Sequence, residues 1–195
     1  MLFQDFQPLA AIATTPTAAK RLQPLIQAAG ATLWIPEALA ERLETEGENT
    51  PHASIKVYAG PLKAHLANIW PHHRGFIFCL AAGAVVRLIS PLLEDKSRDP
   101  AIAVVDEAGK FVISLCSAHQ GGADRLARLV ALQLNATPVL TGASTELGLP
   151  GIDVLGVPFG WNRGEGDWTK VAAAISRGET IQVIQEVGST LWQNH

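Results

Sequence analysis

The chain has 195 residues, of which 48% are hydrophobic and 17% are charged, and its formal net charge is −3 at pH 7. This composition excludes a disordered protein and predicts a globular one with a well-filled core. A slightly negative chain has no general attraction for nucleic acid or for membrane surfaces, so we expect neither as a partner.

The cysteines and the N-terminus predict a cytoplasmic protein. No apolar run approaches the roughly 20 residues of a membrane helix. The first residues lack the basic start and apolar core of a signal peptide. Cys79 and Cys116 lie in or beside apolar strand-like runs without metal-ligand spacing, which is typical of reduced core cysteines.

Short apolar runs alternate with helical patterns along most of the chain. The predicted strands are residues 10–13, 31–35, 55–58, 76–80, 101–105, 111–115 and 137–140. Helical patterns follow the first four of these runs and the Gly121-Gly122 pair. Thr15 and Pro16 predict the start of the first helix and Gly30 its end, while Pro24 inside it predicts a kink or a shortened helix.

Two strand patterns determine the expected architecture. Residues 76–80 are apolar on both faces, as in a central parallel strand that is covered on both sides. Residues 101–105 and 111–115 flank a short turn and predict a β-hairpin. We therefore expect an α/β fold: a layered, mostly parallel sheet with helices on both faces and one antiparallel hairpin.

The last forty residues carry weaker signals. Residues 160–166 contain three glycines and suggest a boundary. Asp167 predicts the cap of a helix that extends through Ile175. Residues 180–187 alternate apolar and polar side chains and predict a last strand.

The first candidate for chemistry is the loop that follows residues 111–115. Here Ser117, His119, Gly121 and Gly122 stand between a predicted strand and a predicted helix. Ligands of open α/β sheets bind at such junctions, free amides at a helix start attract anions, and histidine suits acid–base work near neutral pH. The alternative is a turn that needs glycine, with a histidine that only orders it.

The second candidate is the junction after residues 76–80, which contains Gly83 and, one helical turn later, Arg87. A guanidinium on a mostly apolar helix face needs a carboxylate or a phosphate. The sequence leaves two interpretations open: Arg87 binds a ligand, or it forms an internal ion pair with Asp95 or Asp99.

The charged loop at residues 95–99 contributes Lys96 and Arg98. Alternating charges of this kind also form ordinary surface turns whose ion pairs are individually weak.

Three other patterns do not predict a site. His72-His73 lacks further ligands at metal spacing, so we expect no metal site. Ser117, His119 and Asp124 lack the nucleophile-elbow pattern, and no phosphate-binding glycine motif is present.

Three segments taken together resemble the CbiG family of cobalamin (vitamin B12) biosynthesis, the cobalt-precorrin-5A hydrolases. They read AAGAVVRLISP at residues 81–91, DKSRDPAIAVVDE at residues 95–107 and GKFVISLCSAHQGGA at residues 109–123. The resemblance implies a family N-terminal domain at residues 1–150 and the family's middle region at residues 151–195, without its C-terminal domain. The chain departs from the family pattern at Ala118, at Asp124 and in the loop at residues 141–145, where an aspartate is missing.

What the resemblance implies is tetrapyrrole (porphyrin) metabolism: hydrolysis of the ring A lactone of a cobalt-containing corrinoid, with release of acetaldehyde. His119 is then predicted as general base. Substrate-binding groups are predicted from the two candidate loops and the charged loop, namely Gly83, Arg87, Lys96, Arg98, Ser117, Gly121 and Gly122. Of these, Arg87, Lys96 and Arg98 are predicted to bind substrate carboxylates, and the amides near Gly121 and Gly122 to stabilise the oxyanion. We expect the loops at residues 81–83, 117–122 and 141–145 to form one face of a cleft.

The resemblance also indicates which partners and cofactors to expect. We expect a small-molecule corrinoid substrate and no cofactor or metal of the protein's own, because the cobalt belongs to the substrate. A homo-oligomer and a fused or associated precorrin methyltransferase stay open. The alternative function is a non-catalytic module that binds corrinoid or assists assembly at the front of such a fused protein.

Overall fold

The computed structural model describes residues 2–46, 54–95, 98–118, 122–141, 161 and 164–187. The chain separates into two compact units, Met1–Leu140 and Thr141–His195. The predicted boundary near residue 150 stays a prediction.

The first unit is an alternating series of strands and helices. Its strands are β1 (Leu9–Ala13), β2 (Thr32–Pro36), β3 (Ile55–Tyr58), β4 (Gly75–Cys79), β5 (Ala101–Val105), β6 (Phe111–Cys116) and β7 (Thr137–Val139). Its α-helices are α1 (Pro16–Ala29), α2 (Glu37–Thr45), α3 (Leu62–Ile69), α4 (Ala82–Ile89) and α5 (Ala123–Leu134).

The strands form one seven-stranded sheet in the order β3-β2-β1-β4-β5-β6-β7. Every neighbouring pair is parallel except β5 and β6, which form the antiparallel hairpin. The predicted α/β fold, with a mostly parallel sheet and one antiparallel pair, is confirmed. The strand order reverses between β1 and β4, which is the place where open α/β sheets bind their ligands.

Helices cover both faces of the sheet and make two hydrophobic cores. On one face α1, α2 and α5 pack against side chains such as Ala11, Ile77 and Val112. On the other face α3 and α4 pack against side chains such as Ile12, Phe76 and Phe78. Strands β1, β4 and β5 are buried along their whole length because they are covered from both sides, which explains their continuous apolar sequences.

Helix α1 begins and ends as predicted. The hydroxyl of Thr15 accepts a hydrogen bond from the Ala18 amide, and Gly30 ends the helix at φ +64°. Pro24 lies inside α1, yet the helix continues to Ala29. The predicted shortening is therefore wrong: burial of Leu22, Leu25 and Ile26 holds the helix across the proline.

The described part of the second unit contains one helix, α6 (Trp168–Ser176). Asp167 caps it, as predicted, by accepting from the Lys170 amide at 2.9 Å. The predicted strand at residues 180–187 is wrong, because these residues have no regular secondary structure. Val183, Ile184 and Val187 are largely exposed, so the alternating pattern here lacks the buried face that a strand needs.

Candidate functional site

The two loops predicted to carry the site begin at opposite ends of the sheet. We call the end where β1, β4 and β5 finish the carboxyl end, and the end where they begin the amino end. Because β6 runs antiparallel to β5, Cys116 pairs with Ile102, and the loop after β6 leaves from the amino end. Gly83, in the first turn of α4, lies instead at the carboxyl end. The prediction that these two loops line one cleft is wrong.

At the amino end, Ser117 follows directly on β6. Its backbone is left-handed, with φ +61°, which is uncommon for a residue other than glycine. The carbonyls of Ser117 and Ala118 accept hydrogen bonds from the amides of Ala123 and Asp124, at 3.0 and 3.3 Å. The first two amides of α5 are therefore already paired, so they do not offer the anion site that the sequence suggested there.

Gly122, the residue that precedes α5, must be glycine for two reasons. Its φ is +76°, and a Cβ atom at this position would lie 3.1 Å from the Phe6 ring. The glycine thus serves the packing of α5 against the segment that leads into β1. His119 and Gly121 lie outside the described residues, so their roles stay predictions.

The predicted cationic groups stand at different places around the first unit. Arg98 is exposed just before β5, at the amino end, where the neighbouring carboxylate of Asp99 accepts from the Glu94 amide. Arg87 is exposed in the last turn of α4, on the sheet face opposite to α5. Within the described part of the chain it forms no ion pair, so the internal pair with Asp95 or Asp99 is not found. Lys96 lies outside the described residues.

The carboxyl end holds a cavity of about 400 Å³ between β1, β4 and β5. Its polar lining comes from Thr14, Thr15, Asp106 and Glu107, and its other lining residues are Cys79, Leu80, Ala81, Ala82, Val104 and Ile113. This volume falls within the range of small-molecule sites, and its place is the point where the strand order reverses.

A short chain of hydrogen bonds fixes Glu107 at the cavity. The Thr15 hydroxyl donates to Oε1 of Glu107 at 2.6 Å and accepts from the Ala18 amide at 3.1 Å. The start of α1 therefore orients the carboxylate. Asp106 has a structural role as well, since its Oδ1 accepts from the Phe111 amide at 2.6 Å across the hairpin turn.

Cys79 lines the same cavity and is buried, with its thiol 3.9 Å from the backbone carbonyl oxygen of Asp106. Burial, and to a smaller extent the charges of Glu107 and Asp106, raise its pKa to about 11. The thiol therefore stays protonated near neutral pH, which makes it a packing residue and not a nucleophile.

Two cations of α1 stand beside this end of the sheet. Lys20 and Arg21 line a second cavity of about 400 Å³ together with Pro16 and Thr17. The Arg21 side chain packs against the hairpin turn, where a Cβ atom on Gly109 would overlap it. Its Nε is buried and has no hydrogen-bond acceptor among the residues that the structure describes.

Sequence reasoning missed Thr14, Thr15, Asp106 and Glu107 as site residues. From the sequence, Asp106 and Glu107 indicate only the turn of the hairpin, and Thr15 only the start of a helix. The signal that could have found them is their position: they are the first two residues after β1 and the first two after β5, which are fully buried strands, at the end where ligands bind.

The two adjacent histidines do not form a metal site in the described chain. Nδ1 of His73 lies 2.8 Å from the Ile69 carbonyl, and His72 is exposed. Among the described residues no group of three metal-ligating side chains is found.

Comparison with family models decides the family. The model for the cobalamin synthesis G N-terminal region matches residues 64–145, and the model for the cobalamin biosynthesis central region matches residues 150–194. The chain belongs to the CbiG family.

Two curated relatives have the same name, cobalt-precorrin-5A hydrolase. A cobalt-precorrin-5A hydrolase from Priestia megaterium is 38% identical over 143 residues, which are 73% of this chain and 38% of the relative. One from Salmonella typhimurium is 45% identical over 83 residues, which are 43% of this chain and 24% of the relative. The chain thus spans well under half the length of the relatives it matches.

A solved structure has the same fold. It is the crystal structure of a cobalamin biosynthesis protein G homolog from Sulfolobus solfataricus, with a TM-score of 0.52 and 20% identity, and the match covers 96% of this chain and 54% of that one.

The CbiG resemblance covers both ends of the sheet. Residues 81–83 and 106–107 lie at the carboxyl end, whereas residues 98–99 and 117–118 lie at the amino end. No helix in the described part of this CbiG chain is long and apolar enough to cross a membrane.

Proposed function

We propose that this chain forms part of a cobalt-precorrin-5A hydrolase, which opens the ring A lactone of its corrinoid substrate with water and releases acetaldehyde. The observation that carries the proposal is the identity of 38% and 45% with two proteins of that name. Cobalt belongs to the substrate, so the proposal includes no resident cofactor. We place the reaction in the cytoplasm, with no nucleic acid or membrane partner.

The test is an acetaldehyde assay with cobalt-precorrin-5A. It compares this chain alone with the intact natural protein, because relatives of this name are much longer than the matched segment. Release by the intact protein supports the proposal, and its absence in folded, substrate-binding protein contradicts it. Activity of the chain alone would place all catalytic groups within these residues.

The sequence-based choice for the general base is His119. Replacing a general base typically costs on the order of 10²–10⁴ in rate. We therefore expect His119→Ala to lose that much turnover if His119 is the base, with the exposed His72→Ala as the matched control. In this hypothesis Arg87, Lys96 and Arg98 bind substrate carboxylates. Gly83 lies at the opposite end of the sheet and the first two amides of α5 are already paired, so neither contributes to a site on the loop after β6.

A second function rests on the departures from the family pattern at Ala118, at Asp124 and in residues 141–145. The chain would then be a non-catalytic corrinoid-binding or assembly module, alone or in a homo-oligomer, joined to or associated with a precorrin methyltransferase. Corrinoid binding by the intact protein without acetaldehyde release would favour this alternative.

A further inference from the structure

The carboxyl-end cavity brings together the groups that ester hydrolysis needs: a carboxylate base, an amide donor and nearby cations. We propose that the substrate lactone reacts in this cavity and that Glu107, not His119, is the general base. This inference rests on the proposed function and names the site within it.

Glu107 meets the geometric requirement of a base. Its Oε1 is fixed by the Thr15 hydroxyl at 2.6 Å, and its other oxygen has no partner among the residues that the structure describes. The side chain is exposed at the cavity, so water reaches it. A carboxylate that is oriented through one oxygen and open at the other can hold a water molecule and accept its proton.

The start of α4 supplies the donor for an oxyanion. Ala82 carries the first amide of this eight-residue helix and lines the same cavity, and no side chain caps the helix there. The first amides of a helix have no acceptor within it and carry a partial positive charge. The start of α5 differs, because Ser117 and Ala118 already pair its first two amides. Of these two helix starts, that of α4 is therefore the better oxyanion site.

The flanking cations fit a substrate that bears carboxylates. Arg21 has a buried Nε without an acceptor in the described chain, and Lys20 lines the neighbouring cavity on α1. A guanidinium can bind a carboxylate through two parallel hydrogen bonds. Substrate carboxylates would then be bound on α1 and not by Glu107, which has the separate role of accepting a proton from water.

The step is balanced in atoms and charge. Glu107 takes a proton from water while the water oxygen bonds to the lactone carbonyl carbon, and the resulting oxyanion faces the amide of Ala82. When the tetrahedral intermediate collapses, the ring carbon–oxygen bond breaks. The departing alkoxide takes the proton from Glu107 and becomes a hydroxyl group, and the substrate gains a carboxylic acid that ionises in solution. Acetaldehyde then leaves: the hydroxyl loses its proton and becomes the carbonyl of acetaldehyde, the carbon–carbon bond to the macrocycle breaks, and the macrocycle takes the electron pair and a proton.

The test compares Glu107→Gln, Glu107→Asp and His119→Ala in the intact protein by acetaldehyde release. Glutamine keeps an acceptor for Thr15 but cannot take a proton, so we expect kcat to fall on the order of 10²–10⁴-fold with KM within a few-fold. We expect Glu107→Asp to recover part of the rate, because it restores a carboxylate. Glu41→Gln, an exposed change on α2, is the control.

The outcomes separate this inference from the proposed function. Near-normal turnover of Glu107→Gln, with or without loss in His119→Ala, would overturn the role of Glu107 and leave the hydrolase proposal intact. Absence of acetaldehyde from the wild-type protein would overturn both. If Glu107→Gln does not fold, Glu107→Asp and the acid limb of the wild-type pH–rate profile decide: an unchanged rate in the aspartate variant with no carboxylate limb contradicts the inference.

Discussion

At the scale of single residues, His65 shows how burial determines a pH response. Its ring stacks on the Tyr58 ring, with 4.4 Å between the ring centroids, and its centroid lies 4.5 Å from that of the Trp34 ring. Burial, and secondly the charge of His73, lower its pKa below the ordinary value of 6.5. The folded protein therefore binds this proton less readily than the unfolded chain does.

This shift predicts acid sensitivity. Because the pKa is lowered in the folded state, the stabilisation is complete above about pH 6.5 and is lost as the pH falls below that value. We expect the urea midpoint to be lower at about pH 5 than at about pH 7.5, and His65→Phe to reduce this difference. His72→Phe, at an exposed position, should leave it unchanged. An equal pH response in the His65 variant would contradict the assignment.

Gly109 and Gly60 offer a matched pair for testing the hairpin turn. Both have left-handed backbones, with φ +68° and +74°, but a Cβ atom at Gly109 would meet Arg21, whereas one at Gly60 would meet open space. An alanine in this conformation costs about 1–2 kcal/mol. We expect Gly60→Ala to lose about that much free energy of unfolding and Gly109→Ala to lose more.

Adding Arg21→Ala to Gly109→Ala should remove the excess loss if the overlap with the guanidinium causes it. Chemical denaturation of the wild type, Gly60→Ala, Gly109→Ala and the double variant measures these free energies of unfolding. Equal losses at the two glycines would show that Arg21 does not constrain the turn.

At the scale of elements, the sequence predicted most boundaries but not the direction of the last loop. Thr15, Gly30 and Asp167 act locally, through a few hydrogen bonds or one backbone angle, so their patterns indicate helix ends reliably. The hairpin was predicted as well. The prediction of a single cleft did not take into account that β6 runs opposite to β5. This direction places the loop after Cys116 at the amino end, away from Gly83. The strand predicted at residues 180–187 is wrong because an alternating pattern does not show whether its apolar side chains have a core to pack against.

Thr15 has two roles, one in the stability of α1 and one in the carboxyl-end cavity. Its hydroxyl caps the helix and also holds Glu107. We expect Thr15→Ala to lower the free energy of unfolding by about 1 kcal/mol and to reduce turnover by loosening Glu107. Thr15→Ser keeps both hydrogen bonds and should retain stability and turnover. Denaturation and acetaldehyde release measure the two effects, and an active Thr15→Ala variant would contradict the positioning role.

At the scale of the whole molecule, the first unit has the features of an independent domain. Its sheet is covered on both faces by its own helices, and Val112, on the strand next to one edge of the sheet, is as buried as Ile12 near the centre. We expect residues 1–140 to unfold in one cooperative transition, observed together by circular dichroism and fluorescence. Separate transitions by the two probes would indicate that the rest of the protein is needed for folding.

Hydrogen exchange with and without the ring-opened corrinoid product tests most directly which end of the sheet binds the ligand. The intact protein should gain protection at residues 14–20, 81–86 and 106–110, which surround the carboxyl-end cavity. Protection confined to residues 117–126, with these three segments unchanged, would contradict the account and move the site to the amino end.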